Sequence, residues 1–538
     1  MLYPTANSSI STTPNNDLQS DPIDGDELSV QSYGGVTVIG TPSGDGSTYK
    51  TPILGHATTT EETPLLLSKP LASRTGPWRA GLEEAWVLLR YAIPITCTNL
   101  IEYSLAITST VIVGRLSTEM LAGASLGIMM ADITGFSIIQ GFAYALDSLL
   151  PAAWTSANPS HVGLWTQRML VLMAFLLVPI SMVLLNIEHV FLHLRQDPQV
   201  ASLAAVYLRF SVPQLPAYAF NAVIRRYFQA QGLLHVPSFI TLIVAPINVG
   251  LNYALVWGPE PIGIGFIGAP VATSISVMLM SVLYLVYAVF FTSHKAWYRI
   301  SIQSLHSLPK LLGLALTGVS QSVSDAWYWE SIGLEASLLG PMALATQSVL
   351  LMTSCTLYQV HYAFGIASSV RVGNLLGADN AARAAIVSKV AVWMSLFGGL
   401  IHASTLMLAN HKISYFYTSD DQIAAFVAAI LPLVAAYQIV DSLTATAVGI
   451  LRACGKIGTG AVSNFIGYYF IGIPLGLYLT FRQDLGLKGL WIGAAVALVF
   501  VAAVLGTVVL WLDWDVQVKQ AKERVEDKRL PSEEPAQV

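Results

Sequence analysis

"DAWYWESIGLE", residues 325–335, sets Asp325, Glu330 and Glu335 inside a segment that is otherwise largely apolar from Leu311 to Leu339. An acid near the middle of a bilayer costs roughly 2.5–3.5 kcal/mol on insertion scales, so three in one segment need a purpose. Whether the segment lies in a bilayer is decided by its surroundings. Only 11% of the 538 residues are charged and 54% are hydrophobic, whereas a soluble chain is about a quarter charged. Apolar runs of about 18 residues or more, enough to cross roughly 30 Å of hydrocarbon, recur between residues 89 and 512, as in "MLVLMAFLLVPISMVLL" (169–185) and "GAAVALVFVAAVLGTVVLW" (493–511). Twelve spans are expected, with the quoted stretch in the seventh.

The same composition excludes other classes. A net charge of −5 with no basic patch gives no reason to expect nucleic acid. Cys97, Cys355 and Cys454 are too scattered for a disulfide framework or a zinc site and read as packing residues. "GASLG" (123–127) fits the hydrolase pattern G-x-S-x-G, but it lies in an apolar helix rather than the strand–turn–helix that pattern needs. No metalloprotease or P-loop motif is present. The chain reads as no enzyme, with no metal and no cofactor, and a gradient must supply energy.

Residues 1–83 are rich in Ser, Thr, Gly, Pro and Asn, with no apolar signal region, and read as a disordered tail. The expected domains are a first bundle at 84–293, a linker at 294–310, a second bundle at 311–513 and a tail at 514–538. Connections on the tail side, near 150–165, 222–236, 293–310, 371–389 and 452–457, carry Arg225, Arg226, Lys295, Arg299, Lys310, Arg371, Arg383, Lys389, Arg452 and Lys456. The opposite side carries few basic residues, so both tails are expected in the cytosol. In "EETPLLLSKP" (61–70), Glu61 and Glu62 ahead of Leu65 and Leu66 fit the acidic-dileucine signal that cytosolic sorting adaptors read. A vacuolar or lysosome-like membrane is therefore favoured, with the plasma membrane as the alternative.

The chain also repeats itself. "RYFQAQG" (226–232) is echoed by "ILRACG" (450–455), "GFIGAPVA" (265–272) by "GLKGLWIG" (486–493), and "MLAGASL" (120–126) by "ALATQSV" (343–349), at offsets of 223, 221 and 223 residues. Near-constant offsets imply two six-helix halves in parallel repeat, an organisation common in transporters, whose substrate site lies between the halves.

"VGRLSTEMLAGASLG" (113–127), "ALDSLLPAAW" (145–154), "LNYAL" (251–255), "AFGIASSVRVGNLLGA" (363–378), "GILRACGK" (449–456) and "NFIGYYFIGIPLG" (464–476), with "YFQAQG" and "GLKGLWIG", occur in this order. Together they resemble the multidrug and toxic compound extrusion (MATE) family, in its eukaryotic, fungal-like branch, over residues 84–512. The resemblance implies an all-α membrane protein of twelve helices in two six-helix pseudo-repeat bundles around a V-shaped cavity. It also implies export of organic, mostly cationic, compounds in exchange for protons or sodium. "PAAWT" (151–155) and Ala363 depart from the family pattern, and Ser109 stands where bacterial members keep a carboxylate. Ion coupling is then expected in the C-terminal half.

Residues five apart on a helix differ by about 140° in projection, so Asp325 and Glu330 point different ways. One can face a central cavity while the other meets a polar partner in its own half. A carboxylate beside an indole in a dry cavity holds either a proton or a cation, because desolvation disfavours the bare charge; this exclusion is the core of an antiporter. By resemblance, Asp325, Glu330 and Asp441 are the proton-coupling acids, and intramembrane acids are functional by default. Asn99, Trp327, Gln347 and Tyr358 are expected to line the substrate cavity. Glu102 and Asp132 form a possible second ion site, Glu102 reading equally as a structural acid. Asp147 suits packing or capping, and Glu335 snorkels at a helix end. Arg209 is the clearest basic residue in a span, which favours cation cargo over a lipid or an anionic metabolite conjugate. Sodium coupling stays the alternative to protons. The expected partners are organic cations, membrane lipids and sorting adaptors, and the chain reads as a monomer.

Overall fold

A backbone crossing lipid must satisfy its own hydrogen bonds, which restricts it to helices here. The computed structural model describes residues 30–33, 36–39 and 77–526, apart from 194, 260, 293 and 418–419. Among these residues run twelve long helical rods: α1 (Pro77–Gly114), α2 (Thr118–Trp154), α3 (His161–Leu185), α4 (198–230), α5 (His235–Trp257), α6 (Gly265–Phe290), α7 (Leu308–Ser337), α8 (Pro341–Gly377), α9 (Ala381–Leu408), α10 (Asp421–Ala453), α11 (Ile457–Phe481) and α12 (Leu487–Leu510). A short amphipathic helix, α13 (Trp514–Val525), follows. Eight rods are long and apolar enough to cross a membrane on composition alone. The other four, α1, α4, α7 and α8, hold Glu84 and Glu102, Arg225 and Arg226, the three acids of the opening stretch, and Arg371.

Local sequence sets the helix ends. The side chain of Asp197 accepts the Gln199 and Val200 amides at the start of α4, and Asp420 does the same for Gln422 and Ile423 at α10, satisfying donors a helix start leaves orphaned. The repeat is visible in the ends as well. Gly232 and Gly455, which match in the two halves, follow α4 and α10 at φ +80° and +70°, the left-handed closure that glycine allows.

Two expectations about the tails change. α1 starts at Pro77, inside the segment assigned to a disordered tail, because proline at a first helical position loses no hydrogen bond. Within the tail, Val30–Tyr33 pairs antiparallel with Val36–Ile39, and the β-branched residues there favour a strand. Glu61, Glu62, Leu65 and Leu66 lie outside the described residues.

The rods form two halves, α1–α6 and α7–α12, and the packing shows where these meet. The largest apolar cluster runs across both, joining Leu146, Leu149 and Ala153 of α2 to Leu375 and Leu376 of α8, Ile450 of α10 and Val518 of α13. These residues lie at the end of the bundle where α1 begins and α13 sits, the tail side. At the opposite end each half keeps its own cluster: Val113, Tyr207 and Phe266 in the first, Tyr328, Val427 and Trp491 in the second.

Small residues bring the backbones together at the seam. A Cβ at Gly141 of α2 would lie 2.5 Å from the Val319 Cα of α7, and one at Gly373 of α8 would lie 2.7 Å from Pro151 Cβ. The "PAAW" departure is thereby explained: Leu150–Trp154 forms the last turn of α2, and its Pro151 and Ala152 press against Gly373 and Gly377.

Candidate functional site

Two cavities of different size flank the seam. The smaller, about 60 Å³, lies mainly in the second half, where Asp325 of α7 and Asp441 of α10 both face it with Tyr358, Tyr468, Asn464 and Arg452. The larger, about 640 Å³, lies in the first half and is lined by Asp132, Glu102, Arg225, Tyr103, Phe136 and Tyr218 among others. Glu330 of α7 reaches into it from the second half. Five residues apart on one helix, the two acids thus face different cavities, as their projected angle requires.

Two π-helical turns contribute to these walls. Asp132–Phe136 interrupts α2 and begins with an acid of the large cavity, and Ile466–Gly472 interrupts α11 and contains Tyr468 of the small one. Such turns rotate the residues that follow relative to the helix and recur at functional sites.

Around the small cavity, Asp441 is buried and its Oδ2 lies 3.3 Å from His361 Nδ1. His361 Nε2 lies 2.7 Å from His402 Nδ1 of α9. The cation of the cavity, Arg452, is already engaged: its guanidinium stacks 3.4 Å from the Tyr144 ring centroid, Nε donates to Gln321 Oε1, and Nη1 stands 3.9 Å from Asp147. The Asn464 side-chain oxygen is buried without a hydrogen-bond partner, so the cavity holds two carboxylates and an unspent acceptor.

Arg225 and Arg226 correct the sequence reading, which put them in a tail-side connection. Leu215–Ala230 is helical through both, and both line the large cavity. Arg225 Nη2 donates to Glu102 Oε1, and Arg226 Nε donates to Asp147 Oδ1 at 2.9 Å. Glu102 is thus held as one half of an ion pair rather than left open for an ion. Asp132 has no ion-pair partner among the described residues. Arg209, the basic residue singled out from the sequence, instead pairs with Glu188 at a half-exposed edge, 3.2 Å away.

Of the four residues expected to line a substrate cavity, none lines the large cavity, and Tyr358 lines the small one. The other three line neither, because packing uses their polar groups. Asn99 Nδ2 donates to the Gln359 carbonyl at 3.4 Å, joining α1 to α8. Trp327 Nε1 donates to the Ile133 carbonyl at 3.3 Å, joining α7 to α2. Gln347 is buried and accepts a hydrogen bond from Trp491 Nε1 at 2.8 Å. Ser109 lines the large cavity, with its hydroxyl 2.9 Å from that of Thr273.

A charged lock closes the tail side. Glu84 of α1 is fully buried and accepts two hydrogen bonds from Arg371 of α8, each 2.8 Å, and a third from Arg383 of α9. Thr155, just after α2, adds a bond to the Asn374 carbonyl at 2.6 Å. These contacts join the two halves on the tail side.

The comparisons with known proteins agree with this architecture. The MatE family profile matches residues 94–254 and 321–478, one segment in each half. An uncharacterized transporter of Schizosaccharomyces pombe is 36% identical over 449 residues, 84% of this chain and 83% of its own. Multidrug and toxin extrusion protein 2 of Mus musculus is 31% identical over 446 residues, 82% of this chain and 77% of its own. The crystal structure of the eukaryotic MATE transporter AtDTX14 superimposes with a TM-score of 0.78 at 27% identity, covering 83% of this chain and all of that one. With the family profile filling more than half of the chain and the twelve rods falling into two bundles, the protein belongs to the MATE family of multi-pass membrane transporters.

Proposed function

We propose that the protein exports organic cations in exchange for protons, with cargo in the large cavity and the proton on the carboxylates of the small one. The observation that carries this reading is the division of labour between the cavities. About 640 Å³ suits a drug-sized molecule, whereas about 60 Å³ suits water and a small ion. The large cavity offers aromatic faces beside Asp132 and Glu330, which attract a flat cation. Both of its arginines have acidic partners in Glu102 and Asp147, and this weighs against an anionic metabolite conjugate. The name of the mouse relative, a multidrug and toxin extrusion protein, supports the same cargo class.

In this mechanism a proton reaching Asp441 or Asp325 neutralises the small cavity, and Glu330 carries the change to the cargo because α7 contributes to both cavities. Rocking of the halves about their seam then exposes the large cavity to the other side. Basic residues on the tail side favour cytosolic termini. The dileucine pattern at Glu61, Glu62, Leu65 and Leu66 favours a vacuolar or lysosome-like membrane and a sorting adaptor as partner.

The test is flux of a cationic dye in proteoliposomes under an imposed pH gradient and then an imposed sodium gradient. The reading expects flux from the pH gradient alone, reduced by Glu330→Gln and abolished by Asp441→Asn. Flux that requires sodium, or an anionic dye moved faster than a cationic one, overturns it.

A further inference from the structure

We propose that His402 and His361 form a proton relay delivering protons to Asp441 from the side opposite the tails. The inference rests on the proton-coupling reading of Asp441 and adds the route by which the proton arrives.

With Asp441 ionised and both rings neutral, the contacts admit one set of tautomers. An ionised Asp441 only accepts, so the 3.3 Å contact places a hydrogen on His361 Nδ1 and leaves Nε2 an acceptor. The 2.7 Å contact then requires the hydrogen to be on His402 Nδ1. His402 Nε2 is left with a lone pair at the outer end of the chain. The three groups sit on three helices, α10, α8 and α9, so no local turn geometry brings them together.

The line also has a direction. At a rise of about 1.5 Å per residue, Asp441 stands about 18 Å from the tail-side end of α10, His361 about 24 Å from that of α8 and His402 about 32 Å from that of α9. Burial changes in the same order: Asp441 and His361 are buried, while His402 is half-buried six residues before the far end of α9 at Leu408. Around Asp441, the charged and titratable groups facing the small cavity are Asp325 of α7, Arg452 of its own helix, Tyr358 and Tyr362 of α8, Tyr144 of α2 and Tyr468 of α11. Tyr437 of α10 and Cys355 of α8 also lie near Asp441, and among the described residues His361 makes the hydrogen-bond contact with it, at 3.3 Å.

The transfer balances. Hydronium gives a proton to His402 Nε2, the Nδ1 proton of His402 passes to His361 Nε2, and the Nδ1 proton of His361 passes to Asp441 Oδ2. One proton enters, water is released, and Asp441 becomes neutral. Once Asp441 has given its proton to the small cavity, each ring regains its first tautomer by losing its Nε2 proton to water and taking one on Nδ1, with no net change in protons.

The experiment compares two fluxes in the same proteoliposomes for wild type, His402→Gln, His361→Gln and Asp441→Asn. One is dye uptake driven by a pH gradient. The other is dye-for-dye counterflow, which needs no net proton movement. Each glutamine variant is expected to lower the ratio of proton-driven flux to counterflow by about a hundredfold, the lower end of what a positioned proton-transfer group contributes. A purely structural defect lowers both fluxes together and leaves the ratio, which overturns the relay. An unchanged ratio in both histidine variants, with Asp441→Asn losing proton drive, overturns the relay and leaves the coupling reading intact. Proton drive that survives in Asp441→Asn overturns both. Should His361→Gln fail to fold, the half-buried His402 decides the question alone.

Discussion

Replacing Glu84 by Gln tests whether the tail-side lock holds the halves together. Glu84 is fully buried, and Arg371, its bidentate partner across the seam, is only 4% exposed. The amide keeps the shape of the carboxylate but not its charge, so Arg371 is left buried and uncompensated. Removing one partner of such a pair costs about 3–5 kcal/mol. We take the lower end, because the amide oxygen still accepts one hydrogen bond and Arg383, 16% exposed, also has Glu83 3.4 Å away. When the seam opens, water reaches both partners, so the loss falls almost entirely on the closed state. About 3 kcal/mol is a shift of about 150-fold in the open-to-closed ratio. Ala152→Cys reports opening, since Ala152 is 1% exposed and its carbonyl faces Gly377 across the seam. The background replaces Cys97, Cys355 and Cys454, so the introduced thiol is the target of a membrane-impermeant reagent added from the tail side. Adding Glu84→Gln to the Ala152→Cys protein should speed its modification about a hundredfold. A change of less than about threefold, or roughly 0.7 kcal/mol, in protein that remains monodisperse would refute the assignment of Glu84 as the lock.

Three further outcomes are expected. Asp132→Asn removes an acid from the large cavity and should weaken cationic cargo by about 1.5–3 kcal/mol, the range for a hydrogen bond to a charged group, with a neutral competitor unaffected in the same competition assay. Arg524→Ala should lower thermal stability in detergent by about 1–3 kcal/mol, because its guanidinium donates to the carbonyls of Cys454 and Ala453 at the end of α10; Lys522→Ala, which breaks an exposed 2.8 Å pair with Asp379, should cost less than about 1 kcal/mol. Gly449→Ala should destabilise by about 1–3 kcal/mol, since its new methyl meets the Gly365 backbone, whereas Gly313→Ala, with nothing near the added carbon, should be neutral or stabilise by up to about 1 kcal/mol.

Much of this protein is legible along the chain. Apolar run length determines membrane spans, because each helix must close its own backbone hydrogen bonds. Constant offsets between motifs reveal two halves, and the projection angle separates Asp325 from Glu330. Each of these properties belongs to one helix or to one segment compared with its copy. What failed from sequence is of another kind. Arg225 and Arg226 resembled cytosolic loop charges until the fold put Glu102 and Asp147, 123 and 79 positions away, against them. Asn99, Trp327 and Gln347 resembled cavity polar groups until neighbouring helices claimed their hydrogen bonds. His361 and His402 are ionisable residues within α8 and α9, a signal present in the sequence, but nothing along the chain links either of them to Asp441. Helical periodicity tells which residues share a face and says nothing of which helix that face meets. Only the packing of α8, α9 and α10 set two histidines and an aspartate in line, because a relay needs atoms from several helices within hydrogen-bond distance and no single segment contains that information.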